Sequence, residues 1–384
     1  MKRSEEPFKE IRSTIQGIQH KHRAFEEMTR GLKVPYFRRG EMSIPAFRMP
    51  HGGDPQVEGR NSSMKMMEKA TSLPVDFFFY DLEDAAPDNP EFKQIARGFV
   101  VEAFQNLNFG NRVRAFRPNN IRSPYFEEDL IEVVGKVGDR LDAIVLPKTE
   151  RAEEVQDVQK ILREITGKSG HENRIFMEVL IESPRAFLDA EKIAAIEDVS
   201  AIILGPWDFA KSIGSTVNPD SWIDDQRLVR QMLPILAAAQ GKEAIDGVTT
   251  TLPIRPKTPG NEEELRIYEE AIGLARRDAL DAYRLGFAAK WVLHPDQIAP
   301  IQAAFTPSRE EALEALELAV NYTEAATRGS GSELIGNQLA DKAVVAAEWV
   351  KVKSALRADV LSQEDLKQSG YSLSVLERTV RTYD

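Results

Sequence analysis

The residues best suited to chemistry in this chain are acids and bases that close short apolar runs. Glu182 ends the run Arg174–Ile181, and Asp208 follows Ala201–Leu204 within Gly205-Pro206-Trp207-Asp208. Asp81-Leu82-Glu83-Asp84 follows Val75–Tyr80, Arg117-Pro118-Asn119 follows Val113–Phe116, and Pro147-Lys148 follows Ala143–Leu146. Two later runs, Glu243–Ile245 and Trp291–Leu293, lead into Asp246-Gly247 and His294-Pro295. A hard divalent cation such as Mg²⁺ prefers oxygen ligands and often takes only one or two protein carboxylates, leaving positions for water and substrate. Glu182 and Asp208 are the candidate ligands, with Glu83 or Asp84 ordering the cation's waters and Mn²⁺ as an alternative occupant. Such a cation polarises a substrate carbonyl or hydroxyl oxygen. Arg117 could stabilise negative charge developing on an enolate oxygen. The same residues also admit a plainer reading, a salt-bridge network along one rim. His294, between a strand and a proline, could simply satisfy backbone groups. The five histidines include no HExxH and no pair on one helical face, so zinc is not indicated.

These residues act together only if the elements bring them to one place. The apolar runs, starting with Ser43–Met49, are mostly continuous rather than alternating, as in strands covered on both faces. Between them lie helical patterns at Met64–Ser72, Lys93–Asn106, Glu127–Val137, Glu153–Thr166, Ala186–Ile196, Gln226–Gln240 and Glu262–Leu285. The spacing is that of repeated β-α units. Eight strands interleaved with helices predict a closed (β/α)8 TIM barrel over residues 37–306, in which the strands' C-terminal ends carry the site. An open doubly wound sheet is the alternative, although no GxGxxG or Walker loop supports a nucleotide-binding version. Residues 1–36, with Phe8, Ile11, Ile15, Ile18, Phe25 and Met28 on one face, predict an N-terminal helical arm. Residues 307–384 predict a C-terminal helical lid or oligomerisation segment: a helix at Ser308–Thr327, a Gly/Ser break at Arg328–Ser332, and a helix near Ala340–Leu356.

Composition narrows the class. The formal net charge of −11 argues against a uniform grip on nucleic acid but permits local cations for a small anion. With 42% apolar residues and 29% charged, the chain reads as globular. It lacks an apolar run of the ~18 residues that suggest a membrane span. Met1–Glu10 has no apolar core of the kind a signal peptide carries. The absence of cysteine excludes disulfides and thiolate chemistry and suits a cytoplasmic location.

Seven motifs in order carry a family resemblance. They are Asp81-Leu82-Glu83-Asp84-Ala85, Arg117-x-Asn119, Leu146-Pro147-Lys148, Ile181-Glu182-Ser183, Leu204-Gly205-x-x-Asp208, Ala244-Ile245-Asp246-Gly247 and His294-Pro295-x-Gln297-Ile298. Together they resemble the HpcH/HpaI aldolase and citrate lyase β-subunit-like family of CoA-ester lyases. Arg117–Tyr125 and Leu204–Ala210 look closest to its malyl-CoA and β-methylmalyl-CoA lyase branch. The resemblance implies Mg²⁺-dependent, reversible cleavage of a 3-hydroxyacyl-CoA into an acyl-CoA and a 2-oxo acid. In that scheme Glu182 and Asp208 hold the metal that the 2-oxo acid chelates, and Arg117 stabilises the thioester enolate. The Gly329-Ser330-Gly331 segment resembles the family's lid hinge, which makes Asp341 the proton-transfer residue, acting in a neighbouring subunit of a trimer or hexamer. Asn119, Gly205, Pro206, Trp207, Lys148 and Arg48 are the expected substrate contacts, with Arg38 and Arg39 further candidates for CoA. Departures from the family pattern are Ala289 in a usual glycine position, Ser183-Pro184-Arg185 after the metal ligand, and the Thr- and Pro-rich Thr249–Gly260. Arg185 reads equally as an anion contact or a rim salt bridge. Alternatives on the same site are malate synthase-like condensation, malyl-CoA thioester hydrolysis, a CoA-independent aldolase, and a noncatalytic acyl-CoA-binding barrel.

Overall fold

The computed structural model describes residues 37–49, 52, 54, 57–218, 222–258, 260–335, 338–372 and 375–376. The expected helical arm, residues 1–36, lies outside the described residues. The apolar runs form eight strands: β1 (Gly40–Pro45), β2 (Phe77–Asp81), β3 (Val113–Arg117), β4 (Ala143–Leu146), β5 (Phe176–Ile181), β6 (Val199–Leu204), β7 (Glu243–Asp246) and β8 (Ala289–Val292). Each pairs in parallel with the next, and β8 returns to β1 to close the barrel. That closure removes the open-sheet alternative.

The two-residue period of a strand decides which side chains face the axis. Phe77, Phe79, Val113, Ala115, Val145, Leu180, Ala201, Ile203, Ala289 and Trp291 share one buried cluster inside the barrel. Two residues beyond the last inward apolar side chain on β2, β3, β5 and β6 stand Asp81, Arg117, Glu182 and Gly205. The pleat that fills the core therefore aims these groups inward at the C-terminal rim. The opposite end is also ionic: Arg38 pairs with Glu41 (3.0 Å), Glu178 (2.6 Å) and Glu243 (3.3 Å).

Helices cover the barrel at the places the apolar periodicity indicates, with departures. The helix expected at Met64–Ser72 starts earlier, at Glu58, the short helices Pro206–Ser212 and Trp222–Asp225 are additional, and two expected helices are broken. The segment expected as one helix over Glu127–Val137 is a helix at Phe126–Asp129, a π-turn at Leu130–Val134 and a short helix at Gly135–Val137. The segment expected over Ala186–Ile196 divides into Pro184–Leu188 and Ala190–Ala194. Asp189 stands at that break, its carboxylate accepting from the Ala152 N–H (2.8 Å) and Lys192 Nζ (2.7 Å).

The chain divides into two compact units between Ile298 and Ala299. In the second, the helix Arg309–Thr327 starts at a reciprocal cap between Ser308 and Glu311. It packs Ala315, Leu316 and Ala319 in one buried cluster with Val345, Trp349 and Val352 of the helix Lys342–Arg357. The Gly/Ser stretch leads into an antiparallel hairpin, β9 (Ser332–Ile335) and β10 (Gln338–Asp341), where the sequence suggested only a break. Both strands mix polar and apolar residues and so lack the continuous apolar run that marked the barrel strands. Asp341 closes β10 and caps the next helix, its Oδ1 accepting from the Val344 N–H at 2.9 Å.

Candidate active site

Arg117 is the centre of the rim. Asp81, its register partner across β2 and β3, takes Nε at 2.7 Å and Nη2 at 2.5 Å. Glu83 lies 3.3 Å from Nη1 and Asp84 3.6 Å from Nη2, while the Trp291 ring sits 5.6 Å from the guanidinium carbon. Burial opposes this charge, but the three carboxylates more than offset it and raise the Arg117 pKa. Asp81 also shapes the turn beyond β2, accepting from the N–H groups of Glu83 (2.9 Å) and Ala85 (3.2 Å). Lys93 fixes the same turn from below, donating to the carbonyls of Leu82 (2.6 Å) and Glu83 (2.7 Å). Lys148 Nζ then bridges Glu83 (2.9 Å) and Asp84 (3.0 Å). Burial raises the Glu83 carboxyl despite Arg117, whereas at Asp84 the charges of Arg117 and Lys148 win over burial and lower it.

Glu182 faces a cavity of about 390 Å³, which it lines with Asp208, Lys148, Asn120, Arg122 and Lys211. A Cβ on Gly205 would come within 2.3 Å of Glu182 Cγ, so only glycine at the end of β6 leaves room for this side chain. The Lys148 N–H donates to Glu182 Oε2 at 2.8 Å. Burial drives the Glu182 carboxyl up to about 8, and the neighbouring Glu83 and Asp208 add to the rise. Asp208 enters from the first turn of the helix Pro206–Ser212. Gln226 Nε2 holds that helix start by its bond to the Pro206 carbonyl (2.7 Å), and Trp207 packs on Trp222 at 5.8 Å.

These features fit a divalent cation. Among the described residues no group of three or more acidic or imidazole side chains forms a metal cage. A pair of carboxylates beside an open cavity is the donor set that Mg²⁺ takes when water and substrate complete its shell. A cation between them would also keep the buried Glu182 ionised.

Comparison with known proteins assigns the family. Residues 59–253 match the model of the HpcH/HpaI aldolase/citrate lyase family. The chain belongs to that family. It is accordingly a carbon–carbon lyase by class. It is 29% identical over 322 residues to an L-malyl-CoA/beta-methylmalyl-CoA lyase of Rhodobacter capsulatus, covering 79% of this chain and 95% of the relative. A (3S)-malyl-CoA thioesterase of Cereibacter sphaeroides is 28% identical over 284 residues, covering 73% and 86%. Among solved structures, a citrate lyase from Burkholderia xenovorans superposes with a TM-score of 0.66 at 18% identity, covering 88% of this chain and 98% of that one. CitE from Mycobacterium tuberculosis, in complex with magnesium, acetoacetate and coenzyme A, gives 0.57 at 20% identity, covering 84% and 99%. Both share the barrel fold.

Within this family barrel the expected site residues separate into groups. Asn119 and Asn120 join Glu83, Asp84, Lys93, Arg122, Tyr125 and Lys148 around a cavity of about 870 Å³. Asn119 is held by Asp129, which accepts from its backbone N–H (2.8 Å) and its Nδ2 (2.7 Å) while also bonding Arg97 Nε at 3.0 Å. Arg48 lines a different cleft of about 810 Å³ with Lys65, Lys69, Met42, Ile44 and His294. His294 follows the plainer reading: its Nδ1 accepts from the Asp296 N–H at 3.2 Å and caps a turn. Arg38 is buried in the ionic floor, and Arg39 is spent on Asp76, with Nε at 2.8 Å from Oδ2, so neither is poised for a CoA phosphate. Arg185 is exposed and does not line the Glu182 cavity. Asp81 stood in a recognised motif without a role of its own, while Asp129 and Gln226 escaped the sequence reading. The signal at Asp81 was its place at the end of an apolar run, and its register with Arg117 emerged only in the fold; the other two act through folded contacts.

Proposed function

We propose that this protein is a divalent-metal-dependent CoA-ester lyase. On this reading it cleaves a 3-hydroxyacyl-CoA such as malyl-CoA, β-methylmalyl-CoA or citramalyl-CoA into an acyl-CoA and glyoxylate or pyruvate, reversibly. The observation that carries the reading is Glu182 cradled against Gly205 and sharing one cavity with Asp208, with the Arg117 charge close enough to act on its carboxylate. Mg²⁺ held by that pair would supply Lewis-acid polarisation of the oxo or hydroxyl oxygen. Cleavage removes the proton of the substrate hydroxyl, breaks the carbon–carbon bond and leaves the enolate of the acyl thioester, which then takes a proton at carbon. Asp81 occupies Nε and Nη2 of Arg117, so Nη1, which has two N–H bonds and only Glu83 at 3.3 Å, is the proposed donor to an enolate oxygen. Asp341 of a second copy of the chain is the proposed proton-transfer group, as the family resemblance implies. The cleft of Arg48, Lys65 and Lys69 is the proposed seat of the CoA ester, since it combines apolar walls with cations. The full proposal is a cytoplasmic homo-oligomer with shared sites and no nucleic-acid or membrane partner; among the described residues no helix is long and apolar enough to cross a membrane.

The test is incubation with malyl-CoA, β-methylmalyl-CoA and citramalyl-CoA, with Mg²⁺, with Mn²⁺ and with neither. Metal-dependent release of acetyl- or propionyl-CoA with an oxo acid is the expected result. The thioesterase among the relatives supplies a second reading, in which free CoA appears without an acyl-CoA product. Cleavage of free hydroxy-oxo acids with no turnover of any thioester would refute both.

A further inference from the structure

Lys148 is one of two non-glycine residues with positive φ among the described residues, at +50°. That left-handed backbone crowds Cβ against the following carbonyl, so a side-chain-bearing residue keeps it only where the surroundings enforce it. The residue follows Pro147, which has no N–H, so Lys148 carries the first backbone donor beyond β4. In this conformation the Lys148 N–H donates to Glu182 Oε2 at 2.8 Å. On the far side Gly205 leaves no slack, because a Cβ there would meet Glu182 Cγ at 2.3 Å and Oε1 at 2.7 Å. Glu182 is thus clamped between one peptide N–H and one bare Cα. The ammonium group meanwhile points elsewhere, to Glu83 Oε1 and Asp84 Oδ1 at 2.9 and 3.0 Å.

We infer that Lys148 is a positioning residue for the metal ligand Glu182, and that its left-handed backbone rather than its ammonium performs this role. The inference rests on the proposed metal site. It differs from the expectation that Lys148 contacts an anionic substrate, because a side chain bridging two carboxylates has its charge already matched. A backbone donor suits this role because it cannot titrate, and its direction is fixed by the fold rather than by a rotamer. A hydrogen bond to a ligating carboxylate orients the lone pair that meets the cation.

The test is direct Mg²⁺ titration by calorimetry on the full chain, comparing Lys148→Gly, Lys148→Asn, Lys148→Ala and Lys148→Val, with thermal unfolding of each as a folding control. None of the four has an ammonium, but they differ in tolerance of positive φ. Gly and Asn adopt it readily, Ala less so, and a β-branched residue resists it most. The expected result is that Gly and Asn keep wild-type Mg²⁺ affinity, while Val loses ~10- to 100-fold, the usual effect of removing a hydrogen bond from a metal ligand. If Val does not fold, the ordering of Ala below Gly and Asn carries the same test. Equal loss in all variants would assign the effect to the ammonium and overturn the inference, as would equal retention. A wild-type protein that binds no Mg²⁺ would instead sink the metal site itself, and this inference with it; Glu182→Gln as a non-binding control separates the two failures.

Discussion

Glu182 shows how a single side chain acquires a role from its neighbours. Its inward direction just beyond the end of β5 follows from the pleat, but its conformation is set by Gly205 and the Lys148 N–H. Gly205→Ala is therefore expected to push the buried Glu182 side chain aside, at some cost in melting temperature but without unfolding the barrel. A displacement of the order of 1 Å at a reacting group costs about 100-fold in rate. Steady-state kinetics alongside thermal unfolding checks this, and normal turnover would mean the cradle has no function. Asp208→Ala tests the second ligand: Mg²⁺-dependent turnover should disappear while the melting temperature holds, since this half-exposed side chain stands at the edge of a cavity. Full activity in that variant would refute the metal assignment. The carboxylates and Arg117 were legible as site candidates because each closes an apolar run. Asp129 was not, because its partners Asn119 and Arg97 lie 10 and 32 residues away and meet it only through a π-turned helix packed on the barrel.

Strands carry the next level, and the ionic floor where β1, β5 and β7 begin gives it a measurable signature. Glu41 and Glu178 are buried beside each other around Arg38 and Glu243, and burial together with mutual repulsion raises the Glu41 carboxyl well above its ordinary value. A carboxyl raised in the folded state binds a proton that the unfolded chain has released. Its contribution is complete below the unfolded pKa and declines as pH rises through the folded one. Urea unfolding followed from pH 4 towards 8 should thus show a wild-type loss of stability that Glu41→Gln flattens; parallel curves would count against it. The strands themselves were readable as apolar runs, although β1 lies earlier than the expected Ser43–Met49 and β8 earlier than the expected Trp291–Leu293. The hairpin β9–β10 was not readable, because neither Ser332–Ile335 nor Gln338–Asp341 is a continuous apolar run like those of the barrel strands.

At the scale of the whole molecule the proposed site joins two copies of the chain. The proposal that Asp341 acts in the site of another copy predicts complementation. Asp341→Ala and Arg117→Ala subunits, each inactive alone, should recover partial activity when mixed and re-equilibrated. No recovery, with mixed assembly verified by native mass spectrometry, would remove the shared site. By itself the sequence determined the eight strands, the parallel barrel they imply and the rim that gathers Arg117, Glu182 and Asp208. Those follow from local periodicity, which obeys strand and helix geometry whatever the rest of the chain does. Tertiary structure alone decided which charges were already matched. It sent Arg38 to the floor and Arg39 to Asp76, tied the Lys148 ammonium to Glu83 and Asp84, and set the Lys148 backbone against Glu182. The physical reason is that a charge's availability depends on what lies within a few ångströms of it in space, and spacing along the chain does not encode that distance.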